Sequence, residues 1–224
     1  DDDTIRAILP HIVVSLVEVL RYGRDRKSTL QLRSSSALAH IVSRLNDNQS
    51  SQPQTTAIKQ SVVSEGAIPT LVELVRNGPT APHKERAAEV LRYLLSHSFL
   101  DGRSQLFNAP GGIDALVALV NNPLTQNLGT HAAAALWNFA SSNSTTDESK
   151  RNKEAVHNAG GTAALINLAK SEDASNLARE KAYGALRVLA KHQAAAHLVI
   201  LGSGTDGVKL IIRGMTGAPK KGPS

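Results

Sequence analysis

Cysteine is absent from the 224 residues. That excludes disulfides and Cys-ligated zinc, and it leaves cysteine usage silent on the redox compartment. Aromatic residues are scarce, at 3% with a single Trp. The 41% apolar content therefore falls mainly on Ala, Leu, Val and Ile, a palette suited to helices packed on helices rather than to a sandwich or barrel. No apolar run approaches the ~18–20 residues that a membrane span needs. No signal peptide is visible. The chain opens on Asp1 and not on Met, which reads as a processed chain or a piece of a longer one. A soluble, intracellular protein, cytoplasmic or nuclear, is the expectation.

What is present begins with charge. The formal net charge is +6 and the isoelectric point about 9.7. A basic balance favours acidic partners, whether peptide, nucleic acid or anionic membrane. The Lys and Arg are spread along the chain and not set in blocks, so ordinary solubility charge accounts for them equally well. Nucleic acid is the less favoured partner, because a single-strand stacking platform needs aromatics that this chain does not have.

The chain repeats itself. Ser15-Leu-Val-Glu-Val-Leu-Arg-Tyr-Gly23 matches Thr70-Leu-Val-Glu-Leu-Val-Arg-Asn-Gly78 at an offset of 55. Segments opening on Gly66, Gly112, Gly161 and Gly204 form a second family, spaced by 46, 49 and 43 residues. Helical repeats of roughly 40–47 residues with loop insertions fit these intervals. Each such glycine is expected to end one helix in the left-handed conformation. The next helix then starts at a sharp angle, with Pro69 in a first turn that needs no N–H. The spacing predicts helices near 8–22 and 30–45, near 57–65, 68–76 and 82–97, near 103–108, 113–121 and 124–141, and near 149–158, 162–170 and 175–192. Asn46–Thr56 and Ser141–Ser149 read as polar insertions.

His131-Ala-Ala-Ala-Ala-Leu-Trp-Asn-Phe-Ala140 resembles the third helix of an armadillo repeat, and Gly66-Ala-Ile-Pro-Thr-Leu-Val-Glu-Leu-Val75 resembles its second. The wording is closer to catenin-like and plant-type armadillo proteins than to nuclear import receptors. The resemblance covers nearly the whole chain and implies an all-α right-handed solenoid of about four and a half repeats. The units are expected near 1–46, 56–97, 102–142, 149–192 and 193–215, followed by a Gly/Pro/Lys tail over 216–224. HEAT repeats are the alternative architecture, but they lack the glycine-started helix.

Other motifs carry little. Gly202-Ser-Gly204-Thr-Asp-Gly207 matches a dinucleotide fingerprint, yet no acidic residue follows Asp206, and the repeat register explains the same glycines as a helix stop. The eight histidines show no metal spacing. No nucleophile elbow appears, and Ser34 to Ser36 read as small-residue packing. No enzyme, cofactor or metal site is expected.

The informative set lies on the third helices, which the resemblance places along a concave groove. Asn138 marks a position whose equivalents are His40, Tyr93 and Val188. Seven residues earlier, two turns back on the same face, stand Arg33, Arg86, His131 and Lys181. Arg92, Arg187 and Lys191 add cations nearby. Arginine forks bind carboxylates in two-pronged fashion, so the column predicts a groove for an extended acidic segment of a protein partner. Only one reference position is Asn, and the position four residues before it is Ala134 instead of Trp. Both departures from the import-receptor pattern argue against basic cargo. Trp137 is expected either to line the groove or to pack on the neighbouring unit. The competing expectation is a structural subunit held through its convex face and its ends within a larger assembly.

Overall fold

The computed structural model describes residues 2–22, 28–47, 53–96, 100–141 and 147–192. All the regular elements among them are α-helices: α1 (Asp2–Tyr22), α2 (Ser28–Asp47), α3 (Pro53–Ser64), α4 (Ala67–Asn77), α5 (Ala81–Leu94), α6 (Leu100–Asn108), α7 (Gly112–Asn121), α8 (Gln126–Ala140), α9 (Asp147–Asn158), α10 (Gly161–Lys170) and α11 (Asn176–His192). The expected fifth unit, the tail and the Gly202–Gly207 motif lie outside the described residues.

Two layers build the array. Helices α1, α4, α7 and α10 stack in that order, and α2, α5, α8 and α11 stack beside them. The short helices α3, α6 and α9 close the units that follow the first. The core runs the length of the stack and is made of Leu, Val and Ala, with Leu71, Leu91, Leu116 and Leu136 wholly buried. Alanines such as Ala87, Ala88, Ala132, Ala133 and Ala135 lie at these contacts with no exposed surface. Their small side chains bring neighbouring third helices close together.

The turn between first and second helix is built as the pattern demands, with one change of register. The left-handed residues are Gly66 (φ 75°), Gly111 (φ 65°) and Gly160 (φ 79°), so in two units the glycine before the expected one does the work. Gly112 and Gly161 instead open the following helix. An arginine in the last turn of the preceding unit's second helix locks two of these turns. Arg21 donates to the Glu65 carbonyl, and Arg76, its repeat equivalent, donates to the Pro110 carbonyl at 2.9 Å. Each carbonyl directly precedes the left-handed glycine.

Several ends differ from the expected ones. α1 is one helix from Asp2, running through Pro10, where the sequence reading began it near Ile8. α3 begins at Pro53, four residues early, because proline at the first helical position gives up no hydrogen bond. The polar insertion is correspondingly shorter. α8 begins at Gln126 because Thr125 takes the cap, its hydroxyl accepting from the Leu128 N–H at 3.1 Å. The Ser175 hydroxyl does the same for α11 by accepting from Ala178 N–H at 3.1 Å.

Among the described residues, three Lys and Arg side chains are interior. Lys59 and Arg103 are each 1% exposed and Lys153 is 3% exposed. Lys59 Nζ donates to Ser96 Oγ at 2.9 Å, and Arg103 Nη1 to the Ser141 carbonyl at 3.2 Å. Both put a cation at the C-terminal end of a third helix, where the helix dipole is negative. Burial pushes the Lys59 ammonium down to about 8. These side chains belong to the scaffold and add nothing to a partner-facing surface.

Candidate functional site

The third helices supply the site. α2 packs on α5, α5 on α8 and α8 on α11, so their outer residues form one tier per unit. Arg33 and His40 on α2 are exposed, as is Arg187 on α11. Arg86, Arg92 and Tyr93 on α5, His131 and Asn138 on α8, and Lys181 on α11 are half-buried. Lys191 lies on α11, with its side chain outside the described residues.

The seam between α5 and α8 is the most structured part. Asn138 Nδ2 donates to the Arg92 carbonyl at 2.7 Å. That carbonyl belongs to the last turn of α5, where backbone acceptors have no partner within the helix. The amide thus caps the neighbouring unit with one of its two N–H donors. The Arg92 guanidinium lies over the Tyr93 ring, 4.2 Å from its centroid.

Carboxylates that the sequence reading did not include share this seam. Arg86 pairs with Glu89 at 2.5 Å and with Glu85 at 3.9 Å. Glu85 accepts from Thr125 Oγ1 at 2.9 Å. Glu85 and Glu89 fall one helical turn apart on α5 and face α8, a placement readable from the third-helix register alone. They offset the positive charge at this tier. His131 adds none at neutral pH: burial, and then the Arg92 charge, hold its imidazole below the ordinary range, against the smaller opposite pull of Glu89 and Glu85. Its Nδ1 and Arg92 Nε are buried without a hydrogen-bond partner among the described residues.

On α11 the Lys181 ammonium sits 5.4 Å from the Trp137 ring centroid and 2.9 Å from Glu180. Trp137 itself packs across the unit boundary. A Cβ placed on Gly184 would lie 2.8 Å from two atoms of the indole. A glycine in mid-helix is thereby explained, since it is the seat of the tryptophan from the unit before. One face of the indole meets the next unit, and a cation of the column covers the ring.

A second concavity, of about 490 Å³, opens between the turns preceding α8 and α11, with Pro123, Leu124, Gly129, Leu168 and Ala178 in its wall. Among the described residues no group of three or more His, Asp or Glu is placed to hold a metal ion. No described helix is long and apolar enough to cross a membrane.

No protein-family model matches the chain, and no curated protein matches it. Solved structures do. An engineered protein from a structural genomics programme superposes with a TM-score of 0.72 at 25% identity, over 91% of this chain and 43% of that one. The chain therefore spans less than half that protein's length. A computationally designed armadillo repeat protein for modular peptide recognition gives 0.67 at 17% identity, over 91% of this chain and 80% of that one. A designed armadillo repeat protein in complex with the peptide (KR)4 gives 0.65 at 17% identity, over 95% and 91%. With its glycine-turned helices stacked unit on unit, the chain has the armadillo-repeat fold.

Proposed function

We propose that the chain is a binding scaffold, holding an extended segment of a protein partner along the tier formed by α2, α5, α8 and α11. The observation that carries this reading is the recurrence of Arg33, Arg86, His131 and Lys181 at one register position of four helices that pack in sequence. Two designed proteins of this fold are described by their peptide recognition, which supports a peptide as the class of ligand. The partner segment is acidic, because Arg33 on α2 and Arg187 on α11 are exposed on the two outer helices of the tier. The middle of the groove is mixed in sign, with Glu85 and Glu89 beside Arg86, so the ligand's charges concentrate toward its ends. Exposed ion pairs contribute only about 0–1 kcal/mol each, so affinity is spread over several of them.

The test titrates an (Asp-Glu)4 peptide, with (Lys-Arg)4 as the charge-reversed control, against the chain and its Arg33→Glu and Arg187→Glu variants at two ionic strengths. Binding of the acidic peptide that weakens in either variant and in high salt supports the reading. Preference for (Lys-Arg)4 would reject the acidic partner, and binding of neither peptide would reject the groove.

A further inference from the structure

Stacking in this array has a direction, and burial marks the face that each unit turns toward the unit before it. On α4 that face includes Ala67, Leu71 and Leu74; on α7, Leu116 and Leu119; on α10, Leu165 and Leu168. All are buried. The register that pairs Ser15–Gly23 with Thr70–Gly78 puts Ile12, Leu16 and Val19 of α1 at the same places. There Ile12 is 43% exposed, Val19 is 38% exposed and Leu16 is only half-buried.

The neighbouring helix shows the same change. Leu30 of α2 is 47% exposed, whereas its equivalents His83, Leu128 and Ala178 are 3%, 0% and 1% exposed. Ile41 is half-buried where Leu94, Phe139 and Leu189 are wholly buried. Two packed helices therefore carry, at the positions that stack elsewhere, aliphatic side chains with nothing stacked on them among the described residues. On α1 these side chains line a shallow apolar hollow of about 340 Å³.

We infer that this face of α1 and α2 is a stacking surface for one further armadillo-type unit, set ahead of α1 as α1 is set ahead of α4. Continuity with the interfaces inside the molecule carries the choice of occupant. The strip crosses two packed helices in the register already used at α1–α4, α4–α7 and α7–α10 and at their third-helix counterparts. At each internal boundary the matching strip is covered by a second helix and a third helix together, the pair that one unit supplies. A second copy in a symmetric pair would set this face against itself, whereas at each internal boundary it meets the opposite face of a unit. This surface is separate from the groove of α2, α5, α8 and α11, and the inference stands without it.

The experiment adds the missing neighbour. Residues 53–96, one complete three-helix unit of this chain, are fused ahead of Asp1, and amide exchange in α1 is followed alongside thermal unfolding. Stacking slows exchange in α1 by at least about tenfold and leaves a single unfolding transition at a higher midpoint. Ile12→Glu with Val19→Glu removes that gain from the fusion while leaving the midpoint of the unfused chain unchanged. A second fusion carrying residues 100–141 guards against one junction failing to fold. Unchanged α1 exchange in both fusions overturns the inference. So does sedimentation showing that the unfused chain is a dimer that the double variant dissociates, because the face then belongs to a second copy.

Discussion

The side-chain amide of Asn138 donates to the main-chain carbonyl of Arg92 at 2.7 Å, tying α8 to the last turn of α5 across a unit boundary. The same asparagine marks the reference position of the candidate groove. One of its donors is already committed inside the fold, so it serves stability before any partner arrives. Replacing Asn138 by Leu keeps the bulk and leaves a helix-terminal acceptor without its cap. The expected cost is about 1–2 kcal/mol, the range for a partly buried hydrogen bond whose other partner is left unsatisfied. Chemical denaturation of the variant measures it, and an unchanged midpoint would show that the bond contributes nothing.

Gly184→Ala tests the seat of Trp137. Alanine is better than glycine in a helix by about 1 kcal/mol, so an open site would gain stability. Here the added carbon would meet the indole at 2.8 Å, and overpacking of this kind costs about 1–3 kcal/mol. Net destabilisation is expected, together with a red shift of fluorescence as the indole is displaced toward water. Trp137 is the only tryptophan, so the emission reports this contact alone. A stabilised variant with unchanged emission would contradict the packing.

Leu136→Ala tests the third-helix register. Leu136 has no exposed surface, and truncating a buried leucine costs about 2–5 kcal/mol. The denaturation midpoint of the variant supplies the value. A loss below about 0.5 kcal/mol, the range of surface changes, would show that α8 is rotated.

His131 gives a pH dependence with a definite sign. Its imidazole is held below the ordinary value in the folded chain, first by burial and then by Arg92. An unfolded histidine titrates near ~6.5. Between the two values the unfolded chain binds more protons, so stability is present above the unfolded value and is lost as pH falls through the folded one. Denaturation midpoints at pH 7.5 and pH 5 should therefore fall further for the wild type than for His131→Leu. Equal losses would mean that the imidazole is no harder to protonate folded than unfolded.

By itself the sequence determined the repeat and the class of fold. Recurrent Gly-x-x-x-Leu-Val segments and the alanine-rich helix around Leu136 impose helical periods and short turns, and local chemistry alone produces both. Register within the turns was less legible, because Gly111-Gly112 and Gly160-Gly161 each offer two adjacent glycines and only the packed backbone selects the one at positive φ. The candidate column was readable as spacing, since equal offsets in equivalent helices need no coordinates. What surrounds each side chain was not, because those neighbours lie some 40 residues away in the chain. Only the tertiary structure set a buried, neutral His131 beside Arg92, seated Trp137 on Gly184 and turned Lys59 and Arg103 inward. Burial and charge are properties of the folded stack: a lysine on a helix reads as a solvated cation until the end of another helix of its unit removes its water.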